Sequence, residues 1–191
     1  MQKFSFLQLN KITFKKLFPK GFTLVELLIV LSIFSIVIIS ITTLFVDLLR
    51  NQLYILSARK MLGEISYLGE FISRQIRMSK TDTTGSCVSA GKNFEIINGG
   101  EGIKFLTQDD KCYTIYLDSL EHQIMIQRPD GVFELTSKRT KVEKLLFRVS
   151  GNIVGDTIQP FVTLKIEATP IPKGPKIIFQ TGISKRNPDV S

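Results

Sequence analysis

The sequence predicts an α+β chain: one long amino-terminal helix whose first half spans a membrane and whose second half packs on an antiparallel β-sheet domain. Three observations carry this. Residues 22–46 hold a single formal charge, Glu26, in an otherwise apolar run. Apolar residues then recur at steps of three and four as far as Ile76. From Phe94 onward the pattern changes to short β-branched and aromatic runs separated by turn formers. These shifts divide the chain into a leader (1–21), the membrane half of the helix (22–46), its amphipathic half (47–80) and a β-rich domain (81–191).

The leader sets the orientation. Lys3, Lys11, Lys15, Lys16 and Lys20 precede Phe22, and no acid does. They carry most of the formal +8; the remainder holds 20 bases against 17 acids, a net +3. Lysines beside an apolar span hold that flank in the cytoplasm. The expectation is a single-pass cytoplasmic-membrane protein with a cytoplasmic amino terminus and an exported carboxyl-terminal domain. The basic excess is therefore chiefly a topology signal, which weakens a nucleic-acid reading.

The 25 residues from Phe22 to Val46 would extend about 37 Å as a helix, enough for a hydrocarbon core of about 30 Å. A secretory signal would have a shorter apolar region followed by its cleavage site. Here the small residue, Gly21, lies before the run, so cleavage there would remove the lysines and leave the helix as the new terminus. Glu26 is costly in such a span. As an isolated feature it reads as a carboxylate reaching the headgroups or taking up a proton.

The junction Lys-Gly-Phe-Thr-Leu-Val-Glu-Leu-Leu-Ile-Val at 20–30 resembles that of type IV pilins and type II secretion pseudopilins. The resemblance implies a pilin-like fold, cleavage after Gly21 by a membrane prepilin peptidase, and N-methylation of the Phe22 amine. It also implies that Glu26 meets the positive amino terminus of a neighbouring subunit and sets register. A buried pair of that kind specifies more than it stabilises, because desolvation offsets much of the attraction. Gly21 lets an extended backbone approach catalytic groups closely, and Pro19 disfavours helix just before it. Implied partners are the peptidase, other pilins or pseudopilins through the helix, the inner-membrane assembly platform, and membrane lipid before assembly.

Beyond Asp47 and Arg50, the residues Ile55, Ala58, Leu62, Ile65, Leu68, Ile72 and Ile76 form one helical stripe, expected to bury on the chain's own domain. No proline interrupts 22–80, and Gly63 and Gly69 are the points where the helix would loosen. Thr81–Ser86 should end it. Strands are expected at 94–97, 103–106, 113–117, 123–128, 132–136, 145–149, 161–168 and 177–184, with Pro129-Asp130-Gly131 as a hairpin turn. The segments Ile72-Ser73-Arg74-Gln75-Ile76-Arg77 and Phe179–Asn187 look like J-type minor pseudopilins and W-type minor pilins. Glu26 argues against the K-type tip subunit, which generally lacks it.

In an exported domain Cys87 and Cys112 can pair, closing a loop of about 25 residues worth roughly 3 kcal/mol; the alternative is two buried thiols. Neither cysteine makes a metal set with the lone His122, and no metal or cofactor is expected. Asp109-Asp110 reads as a polar turn, and Gly99-Gly100-Glu101-Gly102 lacks the lysine of a phosphate loop. No nucleophile motif points to an enzyme. The competing reading is a minor pilin of a DNA-uptake or adhesion system. Its candidate phosphate contacts are Lys138, Arg139 and Lys141, extended by Lys173, Lys176, Lys185 and Arg186. The alternative at that cluster is a solvated turn. The favoured expectation is a minor assembly subunit, acting in filament initiation or at the tip.

Overall fold

The computed structural model describes residues 21–153 and 158–186. The leader lysines, Pro19 and Asn187 lie outside them. The chain forms two compact units that divide between Asp47 and Leu48, inside helix α1 (Leu24–Arg77).

In the first unit every residue from Leu24 to Asp47 is exposed. Its hydroxyls are satisfied within the helix. Ser32, Ser35, Ser40, Thr42 and Thr43 donate to the carbonyls of Ile29, Leu31, Ile36, Ile38 and Ser40 at 2.7–2.9 Å. A hydrocarbon environment requires this, because it offers unsatisfied polar groups no water. The helix is long and apolar enough to cross a membrane.

The second unit holds the rest of α1 and two antiparallel sheets. The first is a five-stranded meander: β1 (Glu95–Ile97), β2 (Gly102–Leu106), β3 (Cys112–Asp118), β4 (Gln123–Arg128) and β5 (Gly131–Glu134). The second has three strands: β6 (Thr140–Ser150), β7 (Phe161–Pro170) and β8 (Ile177–Ser184). The two meet where the Val142 amide donates to the His122 carbonyl at 2.9 Å. One core joins Ile65, Leu68, Ile72 and Ile76 of α1 to inward residues of both sheets, among them Phe105, Ile124, Phe147 and Leu164.

The burial of α1 differs in detail from the expected stripe. Met61 is 2% exposed, whereas Leu62 is 50% and Ile55 44% exposed. Leu62 lies about 60° round the helix from Ile65, while Met61 lies one i, i+4 step behind it on the same face. Nor does α1 break at Gly63 or Gly69. It runs through both, and Gly69 is buried. The helix ends at Arg77, short of residue 80, because Lys80 has already joined β2: its amide donates to the Leu106 carbonyl at 2.9 Å.

All eight expected strands are present, with one large boundary shift. β6 begins at Thr140 instead of Leu145, so half of the basic cluster lies within a strand. A bulge between Val142 and Lys144 interrupts the register against β7. The hairpin at 129–130 is tight, with Arg128 paired to Gly131, whose φ of 145° suits a residue without a Cβ.

Candidate functional site: the amino-terminal junction and the exposed charges

At the junction, Thr23 caps α1. Its Oγ1 accepts the Glu26 amide at 3.2 Å, its carbonyl accepts the Leu27 amide at 3.1 Å, and Glu26 Oε2 accepts the Thr23 amide at 3.5 Å. This is the reciprocal Thr-x-x-Glu capping box, which satisfies amide donors that a helix start leaves unpaired. A carboxylate in the first turn also complements the positive end of the helix dipole. Glu26 therefore has a local role within one chain. The sequence signal was Thr23 three residues before Glu26, and a reading that treated the glutamate as a charge in a span passed over it. Phe22 is 77% exposed, and Gly21 has no atom near the place a Cβ would occupy. The backbone on both sides of that bond is non-helical.

The basic residues proposed for phosphate stand in different surroundings. Lys138 and Arg139 are exposed on the turn before β6, and Lys141 is exposed on the strand. The turn is anchored by Glu64 of α1. Its carboxylate accepts the Ser137 amide, Ser137 Oγ at 3.0 Å and Thr140 Oγ1 at 2.8 Å. Lys176 is bound at 3.0 Å to Glu143 and at 2.7 Å to Glu167, which also takes Lys165 at 2.7 Å. Hydrogen bonds from Lys165 and Lys176 hold the Glu167 carboxyl down at about 2. Those of Lys176 and Thr169 lower Glu143, and the two glutamates raise Lys176. Lys185 is only 2% exposed and donates to Thr81 Oγ1 at 2.6 Å and to Asn93 Oδ1, so it is withdrawn from any surface contact. Arg186 lines a separate concavity with Arg77 and Lys80.

Cys87 and Cys112 are joined by a disulfide with Cα atoms 5.3 Å apart, linking the loop after α1 to the start of β3. Asp82 organises that loop from a fully buried position. One of its oxygens accepts the Thr84 amide, Thr84 Oγ1 and the Gly85 amide at 2.8–3.0 Å. The other accepts the Cys87 and Val88 amides at 2.6 and 2.9 Å. The amides of Cys87 and Val88 hold its carboxyl well below the usual range. In the sequence, Asp82 stands only within the Thr81–Ser86 segment expected to end α1.

The remaining polar candidates are structural in their surroundings. Asp110 has positive φ and pairs with Lys80 at 2.9 Å, and the His122 carbonyl serves β6. Among the described residues no three His, Cys, Asp or Glu side chains are grouped to hold a metal ion.

Residues 19–42 match the family model of the prokaryotic N-terminal methylation motif. No curated protein and no solved structure matches the chain. The match lies on the residues that form the junction and the exposed apolar half of α1. The chain thus carries the amino-terminal methylation motif that is the signature of type IV pilins and pseudopilins.

Proposed function

We propose that the chain is the precursor of a minor pilin or pseudopilin. Prepilin peptidase cleaves it after Gly21, the Phe22 amine is methylated, and the product assembles through its amino-terminal helix into a type IV pilus or type II secretion pseudopilus. Its place there is in initiation or at the tip. The protein is a structural subunit; the inner-membrane platform supplies the machinery that assembles it.

The observation that carries this reading is the position of Glu26. Its carboxylate stands in the first turn of an exposed apolar helix, beside the Thr23 amide. Cleavage after Gly21 would create an amine on the adjacent Phe22. The existing bond to Thr23 is long at 3.5 Å, and a carboxylate has about four acceptor sites. Capacity therefore remains for the amine of a neighbouring subunit, in a setting where water does not compete. Glu26→Ala should still insert and be cleaved but should fail to enter filaments, as judged by its share of sheared or cross-linked assemblies. Incorporation at the level of the unaltered chain would refute the role given to Glu26.

A further inference from the structure

The turn carrying Lys138 and Arg139 is one wall of an open groove of about 790 Å³, whose opposite wall is α1 from Leu53 to Glu64. The floor and lips include Leu53, Leu56 and Ile171, which are 68, 48 and 50% exposed. The rim carries Lys60, Lys138 and Arg139, all exposed and, among the described residues, without an ion-pair partner. Glu64, whose oxygens accept from Ser137 and Thr140, keeps its charge, so the groove lining carries three cations against one carboxylate. The loop between β7 and β8 is held to the helix by Ser57 Oγ, which donates to the Lys173 carbonyl at 3.0 Å.

We infer that this groove takes anionic phospholipid headgroups, with lipid phosphate on Lys60, Lys138 and Arg139 and the acyl-glycerol part against Leu53, Leu56 and Ile171. Two arguments select that occupant. Cationic rims over exposed apolar side chains suit an amphiphile with a negative head; a nucleic-acid backbone would leave the apolar floor uncovered. A second copy docked groove to groove would oppose like charges. The other argument is the tether. Leu53 follows Val46 by seven residues, which reach at most about 25 Å even fully extended and about 10 Å as helix. Whatever the geometry of that link, the groove is held at high effective concentration near the headgroups of the bilayer that receives residues 22–46. The inference rests on the membrane-anchored reading of that segment.

The chain has no tryptophan, so Ile171→Trp places a sole reporter in the groove, with Leu56→Trp as a second position should the first disturb folding. The full chain would be placed in phosphatidylcholine nanodiscs, with and without phosphatidylglycerol, each containing a headgroup spin-labelled lipid. Quenching of the reporter should be stronger by about twofold or more with phosphatidylglycerol. Lys138→Gln with Arg139→Gln, or high salt, should return it to the neutral-disc level. Equal quenching in both discs overturns the inference. So does emission that follows the number of chains per disc instead of lipid charge, which would assign the groove to a second copy. A response to added duplex DNA that depends on Lys138 and Arg139, with none to phosphatidylglycerol, would assign it to nucleic acid. A chain that fails to co-purify with discs overturns the membrane reading and this inference together, whereas an inserted chain indifferent to phosphatidylglycerol overturns the inference alone.

Discussion

Phe179 of β8 packs against the bare backbone of Gly69 in α1, where an added Cβ would overlap the ring at Cζ and Cε1. A glycine inside a helix costs about 1 kcal/mol relative to alanine, and here that cost accompanies close approach of the sheet. Gly69→Ala should therefore destabilise the domain by about 1 kcal/mol net, the overlap outweighing the gain in helix propensity. In a Phe179→Ala background the same change should instead stabilise, by up to about 1 kcal/mol. Denaturant unfolding of the four variants decides it. Equal effects of Gly69→Ala in both backgrounds would mean that the ring does not set the requirement for glycine.

The loop after α1 is held twice, by a covalent link and by a carboxylate. Replacing Cys87 and Cys112 with alanine should cost about 3 kcal/mol in unfolding free energy. Asp82→Asn should act differently. The amide keeps one acceptor oxygen, so one of the two sets of hydrogen bonds is lost while the disulfide stays. Limited proteolysis should then cut residues 82–93 in the variant with the disulfide intact. A loop as resistant as before would show that the carboxylate is not its organiser.

Acid should weaken the domain. The Glu167 carboxyl, ordinarily near 4.5, lies at about 2 in the folded chain, and Asp82 is depressed in the same direction. A depressed folded value contributes stability above the ordinary one and loses it as pH falls through the folded one. Melting temperature should thus fall below about pH 4.5 and continue falling to about pH 2. Lys176→Met, which removes the donor shared by Glu143 and Glu167, should make the decline shallower. A flat profile over that range would contradict the network.

Much of the fold was legible because its signals are local. Strand β7 alternates buried with less buried residues along its whole length, and β3 does so from Ile115 to Asp118. The start of β6 was hidden because an extra residue at Glu143 breaks the period just where lysines mask the buried Thr140 and Val142. Leu62 stands in the expected stripe in place of Met61 because spacings of three and four leave each step open between two neighbours. That step is settled by the sheet that covers the face. The junction was legible as a motif, yet the capping bond between Thr23 and Glu26 went unread, since attention to a charge in a span obscured its neighbour. Glu64 and Lys185 could not be read from spacing, because their partners, Ser137 and Thr140 for Glu64 and Thr81 and Asn93 for Lys185, are brought near only by the tertiary fold. Asp82 is different: its partners lie two to six residues further along the same loop.

The central claim is that Gly21–Phe22 is the processing site of a methylated subunit. Intact-mass measurement of the protein recovered from cells that contain prepilin peptidase tests it most directly. The account predicts a chain beginning at Phe22, heavier by one methyl group, with the apolar helix retained. A chain still carrying residues 1–21, or one cut beyond Val46 so that the helix is lost, would contradict it.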